Sequence, residues 1–321
     1  MMKAKIACFG NLTFDTTVYG DKFIVEDERN SFDYSTSTPG GPASNAASVI
    51  AKFGNPVDFY GRVGNDVYGS FVKNKLEGEN IDISYLKESD SVSTPFSFII
   101  INTSDGTRTI NTIRSKTDYV NPKIENFEYE TDYDFILVDG KYPQDSIELI
   151  ENNPNAISII DAGRVNDGVI DVCKRVNFII CSQNFAEGIT GGKIDDNDEN
   201  NANIFRCMQE EFPNANIAIT VGKRGYICEK DSDVVTFPAY KPELPVIDTN
   251  AAGDIFHGAF TYALANGYDY YQSLEFANVT ASLSTTKAGG RYSCPTLTEV
   301  ENVLNNEKDN GNNNDYPKVK K

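Results

Sequence analysis

Two short segments of this 321-residue chain hold the residues best suited to chemistry. The first is Asp248-Thr249-Asn250-Ala251-Ala252-Gly253-Asp254-Ile255-Phe256-His257-Gly258-Ala259. Small residues run into a helix-patterned stretch with an acid in its first turn. The first N–H groups of a helix lack intrahelical partners and the dipole there is positive, so such a turn attracts anions. Ala251, Ala252 and Gly253 leave the backbone open to a phosphate. Asp254 is placed to accept a proton from an attacking hydroxyl while the N–H groups take charge developing on a transferring phosphoryl group. An ordinary acidic helix start after a small-residue turn has the same spacing. The second segment is Gly40-Gly41-Pro42-Ala43-Ser44-Asn45-Ala46-Ala47. Two glycines before a helix of small residues permit close approach of backbone to ligand. Asn45 both donates and accepts, which suits a polyol. Taken alone, this segment also fits a tight turn into a well-packed helix.

Together the two segments resemble the signatures of the ribokinase/PfkB family of carbohydrate kinases. That family has a Gly-Gly turn with an Asn a few residues on, and Asp-Thr-x-Gly-Ala-Gly-Asp opening a helix. Residues 248–254 read Asp-Thr-Asn-Ala-Ala-Gly-Asp, with Ala251 where Gly is commoner. The added methyl narrows the phosphate pocket. The resemblance covers residues 3–305, and further matches follow in order. It implies that Asp15, Gly40, Gly41 and Asn45 hold the sugar, with Asp254 as the base. Asn184-Phe185-Ala186-Glu187 resembles the family's Asn-x-x-Glu motif, which implies that Asn184 binds the nucleotide and Glu187 holds Mg2+ through water. Thr220-Val221-Gly222-Lys223-Arg224-Gly225 resembles its nucleotide-binding turn. ATP contacts are thereby implied at Thr220, Gly222 and Gly225, and at Asn278 on a later helix. Each also has a plainer reading: Asp15 as a turn cap, Glu187 as a solvated acid, Lys223 and Arg224 as a charged surface turn.

The fold implied is α/β, a three-layer ribokinase-like domain with a mostly parallel central sheet and a small β-sheet lid. The activity implied is transfer of the γ-phosphate of ATP to a primary hydroxyl of a small sugar, with ATP and Mg2+ as cofactors. Asn111, Lys141 and Gly289-Gly290-Arg291 look most like the ketohexokinase and sulfofructose kinase branch. That points to a ketose such as fructose, or to one bearing an anionic group near Lys141 and Arg114. Surface ion pairs would account for the same two cations. Ribose, phosphorylated ketoses and nucleosides stay open as substrates. Residues 288–293 match a segment where several family members bind a monovalent cation, which makes K+ a further candidate. A non-catalytic sugar- or nucleotide-binding regulator on the same fold is the rival reading. A dinucleotide-binding dehydrogenase is disfavoured, because Gly10-Asn11-Leu12-Thr13-Phe14-Asp15 lacks GxGxxG.

Positioning these residues requires elements that the hydrophobic pattern supplies. Ala4–Phe9, Val57–Tyr60, Phe135–Val138, Ile157–Ile160, Val176–Cys181 and Ile217–Val221 are apolar runs of strand length. Between or beyond them lie helical stretches at 43–53, 67–76, 144–151, 167–175, 199–212, 253–265 and 270–287. Such alternation predicts right-handed crossovers and a parallel sheet covered on both faces. Segments 12–38 and 92–118 are β-rich without helical period, and Ser104-Asp105-Gly106 marks a hairpin turn in the second. These segments are expected to form the lid, whose open edges predict a homodimer through it. Residues 1–306 are then one kinase domain, and 307–321 read as a disordered tail. Tyr226–Phe237 reads as another hairpin.

Composition sets outer bounds. Lys and Arg total 29 against 47 Asp and Glu, a formal charge of −18, which disfavours a nucleic-acid partner. His257 is the sole histidine, which excludes zinc sites built on several histidines, and it reads as a packed helix residue. The six cysteines contain no CxxC and read as buried free thiols of a reducing compartment. With no apolar run near the ~18 residues of a membrane span and no signal-peptide pattern, no membrane partner is expected, and the expected location is cytoplasmic.

Overall fold

The computed structural model describes residues 3–22, 24–113, 123–124 and 127–309. The elements run β1 (Ile6–Phe9), β2 (Thr13–Gly20), β3 (Tyr34–Gly40), α1 (Pro42–Lys52), β4 (Val57–Gly64), α2 (Val67–Gly78), β5 (Ile81–Asp82), β6 (Leu86–Ser89), β7 (Phe96–Asn102) and β8 (Arg108–Ile113). There follow β9 (Phe135–Val138), α3 (Pro143–Glu151), β10 (Ile157–Ala162), α4 (Asp167–Cys173), β11 (Phe178–Ser182), α5 (Gln183–Thr190) and α6 (Asp198–Glu211). The chain continues through β12 (Asn216–Thr220), β13 (Tyr226–Lys230), β14 (Asp233–Phe237), α7 (Ala252–Ala265), α8 (Tyr270–Ser284) and α9 (Leu297–Asp309).

The large sheet has the order β14-β13-β12-β11-β10-β9-β1-β4-β5, with β6 also on β4. Its pairs are parallel except β12–β13 and β13–β14. Successive side chains in a strand point to opposite faces, and the two cores follow that alternation. Ile6, Cys8, Leu137 and Ile180 pack on one side with Ala46, Phe260 and Leu274 from α1, α7 and α8. Ala7, Phe9, Val138 and Cys181 pack on the other with Leu149, Val172, Phe185 and Phe205 from α3 to α6. The result is the helix–sheet–helix layering expected of apolar strands buried on both faces.

Helices α1 and α7 approach closely. A Cβ on Gly258 would lie 2.5 Å from the Ala46 carbonyl oxygen, so their backbones touch where any side chain would hold them apart. The small sheet has the order β3-β2-β7-β8. It is the lid predicted from segments 12–38 and 92–118. Its hairpin turns at Ser104-Asp105-Gly106, with the Gly106 N–H donating to the Asn102 carbonyl at 2.8 Å. One face, carrying Phe14 and Phe96, packs its rings on Tyr68 and Phe71 of α2.

Several boundaries differ from the sequence reading. Helix α8 stops at Ser284 rather than Lys287, because the Thr285 carbonyl turns aside to accept the N–H groups of Ile247 and Asp248. Strand β4 runs on to Gly64, and β6 pairs with the extension. Helix α9 reaches Asp309, three residues into the segment read as a tail, and 310–321 lie outside the described residues. Arg114 and residues 115–118 of the lid segment also lie outside them. All six cysteines are free, but Cys207 is exposed, on a solvent-facing position of α6. Among the described residues no helix is long and apolar enough to cross a membrane.

Candidate active site

The helix N-termini divide into two groups. Helices α2, α4, α5, α6 and α8 are capped by the side chains of Asp66, Asn166, Ser182, Asn197 and Asp269. Helices α1, α3 and α7 have no side-chain cap of their own. Uncapped N–H groups are open to other partners, and α1 and α7 begin beside one another, where Asn45 meets Asp254.

In α7 the first i→i−4 bond runs from the Ile255 N–H to the Ala251 carbonyl at 2.8 Å. The Ala252 N–H is weakly held by the Thr249 carbonyl at 3.4 Å. The N–H groups of Gly253 and Asp254 therefore open the helix, and a Cβ on Gly253 would meet nothing within 4 Å. That open space is what a phosphoryl group needs. Of the three residues expected to form the anion hole, Gly253 is the most open, while the Ala252 N–H is partly engaged. Ala251 is in the left-handed region at φ +61°, which explains why glycine would suit the position.

Asp254 accepts from Asn45 Nδ2 at 2.6 Å, which joins the two signature segments directly. Burial pushes the Asp254 carboxyl up to about 6, the Asp161 charge adds to this, and Asn45, His257 and Arg108 oppose it. Asp15 is near enough for the Asp254 charge to act on it. Its own carboxyl is raised chiefly by burial and lowered by hydrogen bonds from Thr13 and Ser97. Thr13 Oγ1 donates to Asp15 Oδ1 at 2.6 Å. Gly40 pairs with Thr13 across β2–β3, and a Cβ there would fall 1.9 Å from the Asp15 carboxylate. Gly41 has φ +104°, and its Cβ would fall 2.0 Å from the Asn11 carbonyl oxygen. Asp15, Gly40, Gly41, Asn45 and Asp254 are thus brought together.

Three residues at this end escaped the sequence reading. Asp139, after β9, accepts from the N–H groups of Asn11 at 2.8 Å, Lys141 at 3.0 Å and Ala43 at 3.4 Å. It caps α1 from across the sheet, and a Cβ on Gly10 would collide with its carboxylate. Asn11 and Asn45 are buried, and each leaves its Oδ1 without a hydrogen-bond partner among the described residues. Asp248 accepts from Asn250 N–H at 2.7 Å, Gly289 N–H at 3.0 Å and Tyr19 hydroxyl at 3.2 Å. It ties the lid to the 288–293 segment. The lid tip is held too, since Thr249 Oγ1 donates to the Gly106 carbonyl at 2.9 Å and accepts from Arg108 at 3.0 Å.

Lys141 stays beside this end, with its ammonium 5.7 Å from the Tyr142 ring centre. Arg62 of β4 lies over the same ring at 5.7 Å. Arg291 is fully buried, donating to Ser44 Oγ at 2.9 Å and pairing with Glu79 at 2.8 Å, so it braces α1 rather than meeting a ligand. Asn111 is a correction. The pairing Phe98↔Asn111 puts it on the α2-facing side of the lid, while Asp15, Ser97 and Thr112 share the opposite face. Its Nδ2 donates to the Phe98 carbonyl at 3.3 Å, and it is exposed.

The groups expected at the nucleotide end are differently placed. Asn184 is exposed on α5. Both Glu187 oxygens are engaged, by Gln183 Nε2 at 2.8 Å, the Ile194 N–H at 3.0 Å and Lys193 Nζ at 2.8 Å. Chiefly Lys193, then Gln183, hold its carboxyl down at about 2. A metal bound directly would have to displace the Lys193 ammonium. Among the described residues no cluster of three or more His, Cys, Asp and Glu could hold a metal. Mg2+ commonly keeps several waters and leans on substrate phosphates. Thr220 Oγ1 donates to the Cys181 carbonyl at 3.2 Å. Gly222 and Gly225 bound the turn after β12. Arg224 donates to Gln183 at 3.0 Å and to the Asp195 carbonyl, stapling that turn to α5. Asn278 is occupied with the backbone of Pro238 at 3.0 Å and Tyr240 at 3.3 Å, so it shapes the wall rather than offering free groups.

Residues 3–297 match the model of the pfkB family carbohydrate kinases. The chain belongs to that family. It is 26% identical to a ribokinase of Bacillus subtilis over 93% of this chain and 99% of the relative. A ribokinase of Cryptococcus neoformans solved with ADP superposes with a TM-score of 0.77, at 22% identity over 94% of this chain and 100% of that one. An Arabidopsis thaliana ribokinase solved with ribose and ATP gives 0.74, at 19% identity over 94% and 99%. The pfkB carbohydrate kinases transfer phosphate to a sugar hydroxyl, and the ribokinase-like three-layer fold with its lid is the one described above.

Proposed function

We propose that Asp254 is the general base of an ATP-dependent kinase that phosphorylates a primary hydroxyl of a small sugar. The observation that carries the reading is the pairing of Asp254 with Asn45 at 2.6 Å, beside the open N–H groups of Gly253 and Asp254. A carboxyl raised to about 6 is ionised at neutral pH yet basic enough to take a hydroxyl proton as the oxygen attacks. The two N–H groups donate to oxygens of the transferring phosphoryl group, where negative charge gathers. Asp15 and the unpartnered Oδ1 atoms of Asn11 and Asn45 are acceptors only, a set matched to sugar hydroxyl donors. Glu187 would hold Mg2+ through water, and the ion would supply charge neutralisation on the phosphates of the nucleotide. The lid, anchored at Thr249 and Asp248, excludes water from the transfer.

For the acceptor we favour a ketose such as fructose, phosphorylated or sulfonated forms included. Two cations over Tyr142 at the edge of the sugar end favour an anionic substituent there. The second reading is ribose, favoured by the ribokinase names of the relatives. We also propose a homodimer through the lid, whose edge strands expose Tyr34, Ile110 and Ile113; sedimentation as a monomer at micromolar concentration removes it. A flat response of activity to K+ removes the cation expected at 288–293.

The deciding experiment is coupled ADP release with Mg-ATP across fructose, tagatose, ribose, fructose 6-phosphate, sulfofructose and adenosine, for the native protein and Asp254→Asn. One substrate should stand far above the rest. The variant should keep its KM values and lose turnover by about 10²–10⁴-fold. Near-native turnover in the variant would sink the base assignment.

A further inference from the structure

His257 lies one helical turn below Asp254, with only 3% of its surface exposed. Helical side chains lean toward the helix N-terminus, and this ring reaches back to the turn that opens α7. Its Nδ1 is 2.6 Å from the Gly253 carbonyl oxygen, and its Nε2 is 3.0 Å from the Ile180 carbonyl oxygen on β11. A carbonyl oxygen only accepts. A neutral imidazole has one N–H and one bare lone pair, so it satisfies one carbonyl and sets lone pair against lone pair at the other. Only the imidazolium donates to both. A buried cation needs an anion, and Asp161 Oδ2 lies 3.4 Å from Nδ1.

We propose that His257 is an imidazolium paired with Asp161, and that it positions and polarises the turn that presents Asp254 to the phosphoryl group. The Gly253 carbonyl belongs to the same amide as the Asp254 N–H. A cationic donor on that oxygen strengthens the N–H at the other end of the amide as a donor to the anion, since linked hydrogen bonds polarise one another. The ring also fastens α7 to β11, so the turn is fixed against the sheet. In a chain with a formal charge of −18, this places one positive charge directly behind the anion site. Its companion Asp161 lies on β10, so the pair joins α7 to the central sheet.

The charged and titratable groups around the pair come from several elements. Asp161 faces it from β10, the Cys181 thiol from β11, and Asp254 from the same helix. Asp139 lies beyond Asp161 after β9, and Arg108 of the lid lies beyond Asp254. The Asp161 charge raises the Asp254 carboxyl and the His257 charge lowers it. Removing one or the other must therefore move the base in opposite directions.

The ion pair is tested on the native protein. His257 is the sole histidine, so tag-free protein labelled with 15N-histidine shows one imidazole. At about pH 7.5, where a free imidazole is mostly neutral, long-range 1H–15N correlation should show a proton on both ring nitrogens. One bare nitrogen overturns the proposal without any variant being made. The positioning role rests on the kinase reading and is tested by pH profiles of kcat/KM. His257→Asn should lower kcat by roughly tenfold and move the acidic limb upward by about half a unit or more. Asp161→Asn should move the limb downward. Limbs that shift together, or not at all, in variants with near-native melting overturn the positioning role. If Asp254→Asn stays active, the base assignment fails while the nitrogen spectrum still decides the ion pair.

Discussion

On the proposed function, the sugar end and the nucleotide end of the site are built on different plans. At the sugar end, acids and an asparagine from several elements stand close together: Asp15 on β2, Asn45 on α1, Asp139 after β9, Asp161 on β10 and Asp254 on α7, with Asn45 bonded to Asp254 and Asp139 to the N–H groups of Asn11 and Ala43. At the nucleotide end the side chains are instead taken up by backbone groups and single neighbours. Glu187 holds Lys193 and Ile194, Asn278 holds Pro238 and Tyr240, and Asn184 stands in solvent. The contrast teaches where the protein preorganises. The end to which we assign proton transfer is assembled before any ligand arrives. The end that receives the nucleotide offers a shaped surface and leaves charge compensation to the ions the nucleotide brings.

The sharpest way to break this contrast is Gly41→Ala. The new Cβ meets the Asn11 carbonyl and must adopt φ +104°, so the Gly-Gly turn must shift and carry Asn45 with it. Turnover should fall by about 10²-fold or more, with loss of sugar affinity and unchanged nucleotide binding by calorimetry. Unchanged sugar kinetics would mean that the interlocking is not needed. Next in size is the pH response. With the Asp254 carboxyl raised to about 6, the base is lost as pH falls through that value, and kcat/KM should drop about tenfold per unit below it. An acidic limb near the ordinary Asp value of about 4 would show that the buried setting does not act on the base.

Glu187→Gln is the matching probe of the other end. It should raise the KM for Mg-ATP by a few-fold and leave kcat for the sugar step nearly intact. Its ion pair should matter little to stability, because the Lys193 side chain is 84% exposed. That small contribution has a defined sign. A carboxyl held at about 2 contributes above its unfolded value of about 4.3 and loses the contribution as pH falls toward 2. A large fall in kcat with unchanged KM would move Glu187 into the chemistry. The smallest effect is expected for Ala251→Gly. It relieves left-handed strain worth about 1 kcal/mol against the added freedom of the unfolded chain, so melting should move by only a few degrees. A large destabilisation would mean that the Ala251 methyl packs for stability.

The sequence disclosed what local pattern can encode. Apolar runs such as Phe135–Val138 and small-residue turns such as Ala251-Ala252-Gly253 declare themselves without neighbours. So do Asp254 and Asn45, which sit beside their own turns. Asp139 and Asp161 are single acids at the ends of apolar strands; the pairing of β9 with β1 brings Asn11 to Asp139, and the packing of α7 on the sheet brings His257 to Asp161. The side of the lid on which Asn111 falls depends on β7–β8 register, which no residue within the strand states. The two-residue β5 is too short for any periodicity to mark, and the role of Asn278 depends on a segment some 40 residues earlier in the chain.

The contact between α1 and α7 at Gly258 and Ala46 has a consequence for how such an enzyme changes over generations. The span between Asn45 and Asp254 is fixed by two helices whose backbones touch inside the core, while the sugar is covered by lid strands that take no part in that contact. On the proposed function, lid substitutions away from Asp15, Gly106 and Arg108 can therefore retune which hydroxyls are welcomed and leave the Asn45–Asp254 span in place. A change at the helix crossing has no such latitude. Room for a new acceptor lies in the outer strands, and little room for a displaced base lies at the crossing.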